Sequence, residues 1–182
     1  MKKIILLYLT IVGLAYGYNY NDLLLKAQAS MFPKIMLLDK KLDDKLIDEK
    51  IIYTVVYDKA DYDTALKIRD FIDTKYNGKF DKYLYKIELV EFSQLTDKTK
   101  SSAIYVLEAS DKIIKKVANI AKNKGIASFS YDMKNLEKGL FFSLMIENST
   151  ILYLNKKSLY TQKVEFVDSL LQMVKYIDKD SN

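Results

Sequence analysis

This chain predicts an α/β fold: a mainly parallel sheet with helices on both faces, closed by a C-terminal β-hairpin and a terminal helix. Three observations carry the prediction. Four short runs rich in β-branched and aromatic residues lie between Ile51 and Tyr131. Two of the segments between them show helical apolar periodicity and end in glycine, at Gly78 and Gly125. After Tyr131 the pattern changes to two apolar runs joined by a polar tetrad, as in a hairpin. Strands alternating with crossover-length segments give a parallel sheet covered on both sides.

A leader stands ahead of this domain. Lys2 and Lys3 precede an apolar run from Ile4 to Ala15, and Ala15-Tyr16-Gly17 supplies a small-x-small close. That is the make-up of a secretory signal peptide. The run is shorter than the roughly 20 apolar residues of a membrane span. Cleavage is expected after Gly17, with an uncleaved anchor as the alternative. The expected organisation is a signal peptide, 1–17, and one domain, 18–182, in the periplasm.

Within the domain, Asn19, Asn21 or Asp22 can cap a first helix from about Leu23. Its expected face is Leu23, Ala27, Met31 and Ile35, with Leu24 and Phe32 alongside; Pro33 is expected to kink or divide it. The charged stretch from Asp39 to Lys50 reads as a surface loop. Ile51 to Tyr57 is a first strand, apolar enough to be covered on both faces. Asp61 or Asp63 starts a helix carrying Ala65, Leu66, Ile68, Ile72 and Tyr76. Leu84 to Phe92 and Ala103 to Leu107 are the next strands. Asp111 is expected to cap a helix with Ile113, Val117, Ile120 and Ala121 on one face, and Ile126 to Tyr131 is a fourth strand. Gly139 to Ile146 and Ile151 to Leu154 form the hairpin. Ser158 to Tyr160 makes a helical turn, and Val167 to Ile177 reads as an amphipathic helix with Leu170, Leu171, Val174 and Ile177 on its stripe.

Composition narrows the chemistry. The 182 residues carry a formal charge of +5, contain no Cys and no His, and have Arg69 as their only arginine. Without Cys there is no disulfide framework and no thiol nucleophile. Without His the familiar triads and most zinc sites are excluded. Lysines interleave with acids, as in Lys40-Lys41-Leu42-Asp43-Asp44-Lys45, so the charge reads as a solvated mixed surface. A nucleic-acid binder would cluster it and favour arginine forks. No glycine-rich turn follows the first strand, which argues against a dinucleotide site.

Three acids fall at strand ends, where open parallel sheets bind ligands: Asp58, Glu108 and Asp132. They read first as loop-solvating and helix-capping groups. A receiver-like acidic pocket, a solute site and a carboxylate hydrolase are the sharper alternatives, and export argues against the receiver. The expectation is no catalytic residue, no metal and no cofactor. Of fifteen tyrosines, most lie in strands, while Tyr131 and Tyr160 are the better surface candidates.

From Gly125 onward the residues carry a family pattern. Gly125 to Asp132 is followed by Leu136-Glu137-Lys138-Gly139, then Phe142 to Glu147, Ile151 to Asn155, and Leu170-Leu171. This resembles the YfiR/HmsC-like family of exported bacterial proteins. Upstream, Ala103 to Leu107 and the opening Leu25-Lys26-Ala27 with Phe32-Pro33-Lys34 are also similar. The resemblance implies a non-enzymatic periplasmic repressor of a membrane-bound diguanylate cyclase, restraining cyclic-di-GMP output and biofilm formation. It implies an inner-membrane cyclase or sensor-kinase periplasmic domain as partner, an outer-membrane lipoprotein as a sequestering partner, and a homodimer. The chain departs from the family in having no cysteines, in Leu140 after Gly139, and in Phe32-Pro33 where a tryptophan-proline pair is common. The candidate partner-binding residues are Phe129, Tyr131, Asp132, Asn155, Leu170, Leu171 and Val174; core packing, and for Asn155 a turn or cap, are their competing structural roles. A small-solute-binding or sensor-partner protein is the alternative function.

Overall fold

The computed structural model of the chain describes residues 18–177; the expected leader lies outside the described residues. Helix α1 (Asp22–Met36) is followed by β1 (Ile51–Tyr57), α2 (Tyr62–Tyr76), β2 (Lys79–Phe80), β3 (Tyr83–Glu91) and β4 (Ala103–Val106). Then come α3 (Asp111–Lys124), β5 (Ala127–Ser130), β6 (Phe142–Ile146), β7 (Thr150–Asn155), α4 (Lys156–Thr161), α5 (Asp168–Met173) and β8 (Lys175–Ile177). The strands form one sheet in the order β2-β3-β1-β4-β5-β6-β7-β8. Neighbours from β3 to β6 are parallel, as are β7 and β8; β2 and β7 run antiparallel to β3 and β6. The mixed α/β fold is thus the one the sequence predicts.

Strand alternation splits the core in two. Tyr53, Val55, Tyr57, Tyr105, Phe129, Phe142 and Leu144 face α1 and α2. Val56, Ile104 and Val106 face α3, together with Leu136 and Leu140. Both faces of β1 are therefore dry, and all seven of its residues are buried. Helices α2 and α3 stop where the sequence expects, with Asn77 and Gly125 in the left-handed conformation.

Four local expectations are corrected. Helix α1 is not divided: it continues three residues past Pro33. Its buried face is Leu25, Gln28, Ala29, Phe32, Pro33, Ile35 and Met36, so Phe32 and Ile35 are buried as expected, whereas Leu23 and Met31 are exposed. The 39–50 stretch is not wholly a surface loop. Asp39 and Leu42 are buried, Asp39 pairs with Lys45, and backbone bonds tie Lys40 to Glu165 and Leu38 to Val167. Finally, the terminal helix ends at Met173. Val174 turns extended, and the β-branched and aromatic run to Ile177 adds β8 to the free edge of β7.

Candidate functional site

Doubly wound sheets open a crevice where the strand order reverses, because the helices after the two flanking strands leave toward opposite faces. Here that point lies between β1 and β4, since α2 and α3 cover opposite faces. The loops beyond these strands bring Asp58, Asp61 and Glu108 to the crevice.

The strand-end acids do different jobs. Asp58 accepts a hydrogen bond from the Ala60 N–H at 3.2 Å, and Asp132 accepts one from the Lys134 N–H at 2.9 Å. Both are Asx turns that start short 3₁₀ segments, the loop-capping role. Glu108 is half-buried, with the Asn135 side chain close enough to favour its charged form. Burial first, then the neighbouring Asp132 charge, push its pKa up to about 7 against the pull of Lys138 and Asn135, with Asp61 adding to the rise.

The crevice is filled by the chain itself. The Tyr20 hydroxyl donates to Asp61 Oδ2 at 3.0 Å and accepts from the Glu108 N–H at 3.0 Å. The Tyr20 ring packs edge-on against Tyr131 at 4.8 Å and has Tyr18 at 6.4 Å. The Tyr131 hydroxyl accepts from the Asn21 N–H at 2.9 Å. Asp61 sits at the N-cap position of α2, yet its carboxylate bonds no N–H of that helix. It accepts instead from the Tyr18 N–H at 3.2 Å and from Tyr20. Burial raises the Asp61 carboxyl, opposed by those two hydrogen bonds, and burial also pushes the Tyr20 hydroxyl up. Chemically the crevice offers hydrogen-bonding oxygens, aromatic faces and a carboxyl that titrates near neutrality. Sequence reading reached Glu108 and Tyr131 but missed Tyr18, Tyr20 and the second role of Asp61. Each has an ordinary local explanation, and only the sheet topology brings them together.

The Glu108 geometry gives a pH prediction. Its folded-state pKa lies above the unfolded value, so its contribution is fully present below about pH 4.5 and is lost as pH rises through about 7. Glu108→Gln keeps a group able to bond Asn135 and removes the titration. Thermal melts from pH 5 to 8 should show a flatter profile for the variant and a higher Tm than the parent at pH 8. Parallel profiles would mean that Glu108 ionises like a free carboxyl.

Three of the partner-binding candidates are corrected by burial. Phe129 and Leu170 are core residues, and Asn155 is 8 % exposed. Asn155 donates to the Leu136 carbonyl and accepts from the Ser158 N–H at 3.0 Å, capping α4. Tyr131 and Asp132 are half-buried at the crevice rim, and Leu171 and Val174 are half-buried against the α1-side core. The exposed apolar groups of the C-terminal segment are instead Tyr160, Met173 and Tyr176.

No protein-family model and no curated protein matches the chain. Among solved structures, a conserved domain protein from Vibrio cholerae is similar over 85% of this chain, with 14% identity and a TM-score of 0.57. An ABC domain from Streptococcus pneumonia, in complex with L-Trp, is similar over 79% of it, with 10% identity and a TM-score of 0.51. The similar regions are 60% and 62% of those chains, so this chain spans under two thirds of either relative's length. The likeness at these identities is one of fold.

Proposed function

We propose that the chain is an exported, non-enzymatic regulatory binding protein of the YfiR/HmsC-like kind. It acts on the periplasmic domain of an inner-membrane diguanylate cyclase, with a sensor kinase as the second partner class, and holds cyclic-di-GMP output down. Such a role needs a folded surface that binds one state of its partner better than another, and no reacting groups. The supporting observation is the block from Gly125 to Leu171, where the family-like residues are joined in space. Gly139 takes φ +105°, and a Cβ there would crowd that of Ala118 at 3.3 Å. Its carbonyl accepts from Ser158 and Gln162, while Asn155 bonds Leu136 across the same turn. Leu136, Gly139 and Asn155 of the resembling block thus meet at one hydrogen-bonded turn.

Deleting the gene should raise cellular cyclic-di-GMP, and the tagged protein should co-purify with a membrane cyclase or kinase. An unchanged level together with no such partner would sink the proposal. A second reading, a small-solute-binding protein, is favoured by the crevice at the strand-order reversal and by the L-Trp-bound fold relative. Stabilisation by a solute in a thermal-shift screen would support it.

A further inference from the structure

We propose that Asp61 is the docking site for the α-ammonium group that appears on Tyr18 when the leader is removed after Gly17, so that maturation locks residues 18–21 over the strand-end crevice. The proposal rests on the exported reading of the chain. Its geometry does not depend on the partner or on cyclic-di-GMP.

Asp61 is 3% exposed, and among the described residues none of the ion pairs includes it. A buried carboxylate without a cation is costly, and the usual remedies are a charged partner or a shifted pKa. Its position at the start of α2 offers backbone N–H groups, which it leaves unused. Its two oxygens face the other way, one toward the Tyr18 nitrogen at 3.2 Å and one toward the Tyr20 hydroxyl at 3.0 Å. That nitrogen is an amide in the precursor and would be an ammonium in a chain beginning at Tyr18. The same contact then becomes a charge-assisted hydrogen bond, roughly twice as strong as a neutral one. The residue that cleavage makes N-terminal is therefore already seated on the carboxylate that lacks a cation.

The consequence reaches the crevice. Tyr20 bridges Asp61 to the Glu108 N–H, and Asn21 bonds Tyr131, so fixing Tyr18 fixes a strap across both loops. The ionisable groups facing this cluster are Asp58 and Asp61 beside α2, Glu108 after β4, and Asp132 and Lys138 after β5, with the hydroxyls of Tyr20 and Tyr131. Acids outnumber the single lysine, so an added cation is favoured there.

The test compares the chain beginning at Tyr18 with one retaining Gly17, both released from a fusion that leaves a native N-terminus. One extra residue moves the ammonium about 3.8 Å along the chain. The Tyr18 form should melt about 2–4 °C higher near pH 7. Because both chains share every other titrating group, the difference should shrink as pH rises past the ammonium pKa. It should vanish in Asp61→Asn. Should that variant fold poorly, titration of the ¹⁵N-labelled Tyr18 α-amine by NMR in the parent decides: a pKa above the usual 7.7–8.0 is expected. Equal melting temperatures, or an amine titrating at the ordinary value, would overturn the docking. The intact mass of the exported protein separates the two premises. A start at Tyr18 supports maturation at this bond, and any other start overturns it while leaving the regulatory reading to its own test.

Discussion

Phe129→Ala is expected to cost about 3–5 kcal/mol of folding stability, the range for removing a buried phenylalanine. Phe129 is the hub of the α1-side core. Its ring stacks with Phe32 at 4.7 Å, Phe142 at 5.8 Å and Tyr53 at 6.3 Å, joining α1 to strands β1, β5 and β6. It has no exposed surface, so its loss acts through the cavity left behind. Tyr53 and Phe32 are themselves held by Phe80 and Tyr105 at 6.2 and 5.4 Å, which limits how far the site can collapse. Urea denaturation measures the effect: the midpoint should fall with little change in slope, and Phe129→Leu should recover part of the loss. A variant with an unchanged midpoint that fails only to bind a partner would return Phe129 to the surface role that its place in the sequence suggests.

That case shows which parts of the molecule are legible in one dimension. The strands β1, β3, β4 and β5 announce themselves because their residues are apolar on both faces or visibly alternate, and the ends of α2 and α3 because left-handed caps favour Asn and Gly. The face of α1 is misread because Gln28, a polar residue, sits at its centre with no exposed surface. Periodicity then shifts to the neighbouring stripe that begins at Leu23. β8 reads as helix because Leu170, Leu171, Val174 and Ile177 have helical spacing, while the edge of β7 that claims those last residues is invisible to local pattern. β2 is two residues long and carries no periodicity at all. At the crevice, Glu108 is found from its place after a strand. The contacts of Tyr18 and Tyr20 with Asp61 span about forty residues and follow from topology alone.

Gln28 also supports the second large prediction. Its side-chain N–H groups donate to the carbonyls of Leu144 at 2.9 Å and Tyr131 at 3.0 Å, and its oxygen accepts from the Tyr105 hydroxyl. Gln28→Leu roughly preserves volume but orphans a buried hydroxyl and removes a donor from each of two carbonyls. With about 1–3 kcal/mol for each buried polar group left unmet, a total loss of at least about 3 kcal/mol is expected. The structure contains a natural control in Tyr53, whose buried hydroxyl already has no partner. Removing Gln28 puts Tyr105 in the same condition. Adding Tyr105→Phe to Gln28→Leu should therefore return part of the stability, because an absent hydroxyl needs no acceptor. The two single variants and the double, compared by urea denaturation, give that coupling directly. Additive losses would mean that the Tyr105 hydroxyl finds another acceptor when Gln28 is gone. The result also bears on the crevice. The carbonyl that Gln28 holds belongs to Tyr131, whose hydroxyl receives the Asn21 N–H. A polar residue in the middle of an apolar helix face thus connects the core to the strap over the strand ends. Amide exchange at Asn21 should accelerate in Gln28→Leu by more than the global loss of stability accounts for, and an increase equal to the global loss would confine Gln28 to the core.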